Sequence, residues 1–136
     1  MRQIEAGQTI PEWSLPLTPT TIVSTAIATR DWQDVHHDRD VAQAAGSKDI
    51  FMNILTSNGL VERYVADWLG HDCELQGIAI RLGAPAYPYD TLTFSGSVRS
   101  VEDGVATLDV VGRVSLGDHV TGTVRVEVVE PVETVA

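Results

Sequence analysis

The sequence predicts an α+β fold in which one long helix is wrapped by a curved antiparallel sheet of about five strands. Two observations carry this. From Ile54 to Leu69 apolar residues recur at helical spacing, and from about Leu75 onward apolar and polar residues alternate between turn signals. A third observation sets the scale: 136 residues, 43% of them hydrophobic, suit one domain spanning residues 1–136 with a true core.

Each element has its own signals. The first stretch, to about Pro19, is rich in Pro and polar residues and predicts one short edge strand around Thr9 to Leu15. Thr18 followed by Pro19 reads as a helix N-cap with proline at the first helical position, and Ile22, Val23, Ala26 and Ile27 continue at helical spacing. A short helix is expected over Asp40 to Ala45, stopped by Gly46. In the long helix Ile54, Val61, Val65 and Trp68 share one face, flanked by Leu60 and Tyr64, and Gly70 is a natural stop. Gly59 in mid-helix costs about 1 kcal/mol relative to alanine, which a sheet pressed close against it would explain. Strands follow around Leu75 to Leu82, over Thr91 to Arg99, over Ala106 to Val114 and over Val120 to Val128, with turns at Asp103-Gly104 and Gly117-Asp118. Such strands have one apolar face each, and one helix must cover it, the arrangement called a hot-dog fold.

Composition excludes several functions. Nine Lys+Arg stand against 19 Asp+Glu, a formal charge of -10, so no basic groove exists for nucleic acid. No apolar run approaches the roughly 20 residues of a membrane helix. The start, MRQIEAGQTIPEW, lacks a basic and an apolar leader region, so no signal peptide and a cytoplasmic location are expected. The single cysteine, Cys73, excludes an internal disulfide and reads as a small buried apolar side chain. His71 and His119 adjoin turn signals and are expected at the surface; Trp13, Trp32 and Trp68 read as packing residues.

The chemistry concentrates in Asp31 to Asp38, DWQDVHHD. Asp31 and His36 would lie roughly 140° apart on a helix and on opposite faces of a strand. They converge only if the chain turns sharply between them, and Asp34 is a plausible turn residue. A carboxylate beside an imidazole is an acid–base pair worth roughly 10²–10⁴-fold in rate. From spacing alone a solvated acidic loop fits equally well. A metal on His36-His37-Asp38 is disfavoured, since adjacent side chains rarely converge on one ion.

DWQDVHHD resembles the signature of the MaoC-like, (R)-specific enoyl-CoA hydratases: Asp-x-Asn/Gln-Pro-hydrophobic-His-x-Asp, then a short alanine-containing helix and a glycine, here Ala44, Ala45 and Gly46. More narrowly, RDWQDVHHDRD with GSKDIFMNILTSNGLVERYV is similar to the small MaoC-like subunits of actinobacterial steroid side-chain hydratases. Asp34 replaces the signature proline, and Asn53-Ile54 stands where many single-chain members have His-Gly. The resemblance implies that Asp31 and His36 are a catalytic pair activating a water for syn addition to a 2-enoyl-CoA. It implies an oxyanion site at Asn53 or Ile54, loop support from Gln33 and Asp38, and a possible CoA contact at Arg81. It also implies no metal and no cofactor beyond the CoA thioester substrate, and a heterotetramer with a larger subunit bearing a MaoC-like domain. Three other readings remain: a non-catalytic subunit that completes a partner's site, a hot-dog thioesterase, for which Asp49 is the nearest acidic candidate, and a small-molecule binding module.

Overall fold

In the computed structural model, residues 3–70 and 73–128 are described. They form β1 (Thr9–Pro16), α1 (Pro19–Ala28), a 3-10 turn (Asp34–His36), α2 (Arg39–Ala44), α3 (Ile54–Leu69), β2 (Cys73–Leu82), β3 (Thr91–Glu102), β4 (Val105–Val114) and β5 (Gly117–Val128). His71 lies outside the described residues. The strands make one antiparallel sheet in the order β1-β3-β4-β5-β2. It curves around α3, the hot-dog arrangement that the strand alternation and the long helix predict. No helix among the described residues is long and apolar enough to cross a membrane.

Side-chain alternation decides which face meets the helix. Leu92, Phe94 and Val98 on β3, Ala106, Leu108, Val110 and Val114 on β4, and Val120, Val124 and Val126 on β5 are all buried. Val61, Tyr64, Val65 and Leu69 of α3 pack into the same core. Tyr64 anchors the helix to the far edge of the sheet. Its ring stacks on Phe94, and its hydroxyl donates to the Pro11 carbonyl at 2.9 Å, with the Ile10 carbonyl at 3.2 Å. Burial pushes the Tyr64 phenol up to about 12, so it stays a neutral donor. A second small cluster, Ile22, Ala42 and Ile50 with Val23 and Val35, ties α1, α2 and the segment before α3 together. The Asp31–His36 segment hangs between these two cores.

Three local expectations are corrected. The β4–β5 turn falls at Ser115-Leu116, not Gly117-Asp118; Val114 already pairs with Gly117, which takes φ +134 at the first position of β5. Gly59 faces away from the sheet, and a Cβ there would meet nothing within 4 Å. The close approach is made by glycines of the sheet instead: a Cβ on Gly96 would lie 3.4 Å from the Tyr64 ring. Trp32 is 65% exposed rather than packed, while Trp13 does stack on Phe94, with the Arg63 guanidinium over its ring.

These glycines predict opposite outcomes for one substitution. Gly59→Ala should stabilise the chain by about 1 kcal/mol, because helix propensity rises with no new contact. Gly112→Ala places a Cβ 2.8 Å from Val120 Cγ1 and 3.0 Å from the Phe94 ring. Overpacking of that kind should destabilise by about 1–3 kcal/mol. Thermal or urea unfolding of the two variants checks both signs.

Candidate functional site

The site is built from chain ends rather than from strand faces. Helix α1 closes with the Arg30 N–H donating to the Ile27 carbonyl and the Asp31 N–H to the Ala26 carbonyl, both at 2.9 Å. This is a Schellman closure with Arg30, φ +55, in the left-handed position that usually takes glycine. It turns the chain so that Asp31 leaves the helix pointing back across it. The Asp31 carboxylate then accepts the Gln33 N–H at 3.2 Å, so Asp31 itself makes the side-chain turn for which Asp34 was the candidate. Asp34 contributes through its backbone carbonyl, which accepts the N–H groups of His37 and Asp38. The resulting 3-10 turn carries His36 inward, where it is buried.

Asp31 and His36 face each other with Oδ2 to Nε2 at 3.4 Å. His36 Nδ1 lies 2.7 Å from the Phe51 carbonyl oxygen. A carbonyl only accepts, so Nδ1 carries a proton, and the tautomer this selects has Nε2 as the bare nitrogen, facing Asp31. Phe51 also meets the imidazole edge-on, centroids 5.0 Å apart.

Asn53 holds the other side of Asp31. It is 1% exposed and its amide is fully used. Nδ2 donates to Thr29 Oγ1 at 2.8 Å and to Asp31 Oδ2 at 3.1 Å; Oδ1 accepts the Thr56 N–H at 3.2 Å and the Thr56 hydroxyl. Asn53 is therefore the N-cap of α3 and the clamp on the carboxylate at once. Its hydrogen bond, then that of the Gln33 backbone, hold the Asp31 carboxyl below the usual carboxylate range, against partial desolvation, with a smaller lowering from the neighbouring His36.

Asp31, His36, Phe51, Met52, Ile54, Leu82, Gly83, Ala84, Pro85 and His119 line a cleft of about 390 Å³. Ile54 is the first residue of α3, so its N–H is one of the helix's unpaired donors at the positive end of the dipole. Its side chain is 52% exposed at the cleft. The site residues inferred from the sequence thus divide. Asp31, His36, Asn53 and Ile54 come together. Gln33 has an exposed side chain and braces the loop by its backbone alone, its carbonyl accepting the His36 N–H. Asp38 faces away and caps α2 by accepting the Val41 N–H. Arg81 lies outside the cleft, in an open depression of the sheet with Asp109, Val111, Thr121 and Thr123. Asp49 accepts the Ile50 N–H at 2.7 Å and pairs with Arg39, outside the cleft lining.

His119 is the residue that sequence reasoning misplaced. It is 2% exposed and lines the cleft. Gly112 pairs with Val120 while Arg113 pairs with Asp118, so His119 is the extra residue of a β-bulge. Strict alternation places it outside, opposite in phase to Val120; the bulge turns it in. Nothing in the period of the sequence marks that extra residue.

Comparison with known proteins identifies the family and the fold. The description "MaoC like domain" matches residues 3–130. A protein of Mycobacterium tuberculosis named 3-oxo-4,17-pregnadiene-20-carboxyl-CoA hydratase beta subunit is 62% identical over 119 residues, 88% of this chain and 92% of that one. A chain of the ChsH1-ChsH2 complex from M. tuberculosis superposes with a TM-score of 0.88 at 58% identity, covering 94% of this chain and 99% of that one. The (R)-hydratase of A. caviae involved in PHA biosynthesis shares the fold, with a TM-score of 0.85 at 19% identity and the same coverage of both chains. A match over nearly the full length, together with a relative of such high identity, establishes that this chain belongs to the MaoC-like domain family.

Proposed function

We propose that this chain is the catalytic subunit of a heteromeric enoyl-CoA hydratase that adds water to a 2-enoyl-CoA bearing a steroid side chain. One observation carries the proposal: the Phe51 carbonyl fixes the His36 tautomer so that a bare Nε2 faces the Asp31 carboxylate across 3.4 Å at the floor of an open cleft. Two acceptors facing one another are the partners a water molecule needs, since it has two protons to give. The 62% identical relative, named a hydratase of a steroid side-chain thioester, supports the substrate class. The ChsH1-ChsH2 complex supports a partner subunit, which we take to be larger and to bear its own hot-dog domain.

The chemistry follows from the donors present. An imidazole is intrinsically a stronger base than a carboxylate, and Asn53 and Gln33 weaken Asp31 as a base further. Asp31 orients the water and His36 Nε2 takes one of its protons. The water oxygen bonds to the β-carbon, the double-bond electrons move toward the thioester oxygen, and the Ile54 N–H meets the resulting enolate. His36 then returns the proton to the α-carbon from the same side, which is syn addition. Atoms balance with water alone, and no cofactor is drawn on. Met52, Ile54, Leu82 and Pro85 offer an apolar wall to an acyl group. The thioesterase reading finds no support, because Asp49 is engaged with Arg39 and the Ile50 N–H.

Asp31→Asn and His36→Ala, each in the complex isolated through a tag on this chain, should lower kcat by at least roughly 10²-fold while the partner still co-purifies. Loss of the conjugated enoyl absorbance of 3-oxo-4,17-pregnadiene-20-carboxyl-CoA is the assay. Wild-type rates in both variants would place the chemistry in the partner.

A second outcome concerns pH. The Asp31 pKa is lowered, so its charged form persists below the usual carboxylate range and is lost only as pH falls through that lowered value. Asn53→Ser keeps a capping hydroxyl but is too short to reach Asp31. The pH at which the Asp31 carboxylate protonates, followed by its NMR chemical shift, should therefore be higher in Asn53→Ser. An unmoved titration would show that the Asn53 amide does not hold Asp31 below the usual carboxylate range.

A further inference from the structure

We propose that His119 is a positioning residue that locks the Gly83–Pro85 wall of the cleft to the first turn of α3, and so sets where the thioester sits relative to Asp31 and His36. The inference rests on the hydratase reading and adds a residue to it.

Both ring nitrogens of His119 are engaged. Nδ1 is 2.7 Å from the Ala84 carbonyl oxygen and Nε2 is 2.7 Å from the Ser57 hydroxyl. The carbonyl only accepts, so Nδ1 carries the proton and Nε2 receives the Ser57 O–H. Desolvation lowers the His119 pKa against the opposing Ala84 hydrogen bond, and so favours the neutral ring in this arrangement. Ser57 has one proton to give; the bond to Nε2 at 2.7 Å takes it in preference to the Asn53 carbonyl at 3.3 Å.

The wall has few other fastenings. The Gly83 N–H donates to the His119 carbonyl and the Ala84 N–H to the Asp118 carbonyl, both at 2.8 Å. These bonds seat the wall on the bulge, and just past it the Ala86 carbonyl accepts the Met52 N–H at 3.0 Å, one residue before the N-cap of α3; none of them reaches α3 itself. A Cβ at Gly83 would lie 2.4 Å from the Asp118 carbonyl, so the backbone contact admits only glycine. Among the described residues, the His119 side chain is the hydrogen-bonded link between the wall itself and α3: Ala84 on one nitrogen, Ser57 of α3 on the other. Ser57 stands in the same turn as Ile54, whose N–H meets the enolate in the proposed reaction. A buried histidine carries a desolvation penalty that valine would not, and a sheet seeking only stability has no use for it. A bulge beside the cleft that aims this ring inward and satisfies both nitrogens fits a device for holding two walls at one separation.

The test uses the native complex with Ser57→Ala, His119→Gln and the double variant, assayed on 3-oxo-4,17-pregnadiene-20-carboxyl-CoA beside Asp31→Asn. A misplacement of the thioester should lower kcat on the order of 10- to 100-fold with KM held within about threefold, and the double variant should be no worse than the worse single one. Thermal unfolding gives the folded fraction. A lowered melting temperature with unchanged kcat per folded complex would overturn the inference, leaving His119 a residue of the fold. A raised KM with unchanged kcat would also overturn it, since that marks uniform substrate binding. Should Asp31→Asn keep full activity, the hydratase reading fails and this inference falls with it. If Asp31→Asn is dead and Ser57→Ala is wild type, the inference fails alone.

Discussion

The hydrogen bonds of one buried amide hold the site together. Asn53 reaches the end of α1 through Thr29, the carboxylate of Asp31, and the first turn of α3 through Thr56. An unsatisfied buried polar group costs about 1–3 kcal/mol, so each of these partners has reason to stay. A side chain with two donors and an acceptor is required here. Aspartate would cap α3 equally well but would set a second negative charge against Asp31. Serine would cap it without spanning the gap. The residue that starts the long helix is thereby also the residue that orients the carboxylate. The placement of the reacting groups follows from the docking of α3 against the sheet.

That coupling explains why much of the architecture was legible in the sequence. Strand alternation and the capping signals at Thr18 and Gly70 depend on local backbone geometry, and these elements fall where periodicity places them. The residues that escaped depend on departures from periodicity. A β-bulge shifts phase by one residue, and a single shift moves His119 from the surface to the cleft wall. Gly59 was read as a contact because glycine in a helix demands a reason, but its neighbours in space are a tertiary property. For Asp31 and His36 the sequence offered residue types and a spacing. Their convergence needed a left-handed residue at Arg30, which an arginine does not advertise.

Charge adds a constraint on how such a subunit can work. Of the basic residues, Arg39, Arg63, Arg99 and Arg113 are paired with aspartates, and Lys48 rests over the Tyr87 ring. A CoA thioester is strongly anionic and would approach a chain of net charge -10. Long-range attraction cannot draw it in; the field of this chain alone opposes it. Under the proposed function, the cations that hold the CoA phosphates are therefore largely the partner's. The division of labour this reading implies is a physical one: the acyl end would meet an apolar wall and the Asp31–His36 pair here, while the phosphates would be neutralised across the interface.

The same division accounts for the apolar surface at the start of α3. Ile54 is 52% exposed and Leu82 is 39% exposed, and both line the cleft. Scattered apolar exposure is ordinary, but these two residues share one cleft. Under the proposed function, an acyl group in this cleft would leave apolar surface uncovered wherever the cleft is open. Burial is worth about 25 cal/mol per Å², so an uncovered face forfeits binding free energy in proportion to its area. A second wall placed over Ile54 and Leu82 would recover it. That wall would also exclude bulk water from the Ile54 N–H, where a dry environment strengthens its interaction with the enolate. Under the proposed function, polar groups oriented by Asn53 on one side and an apolar wall supplied from outside on the other would make the partner part of the catalytic environment as well as part of the binding site.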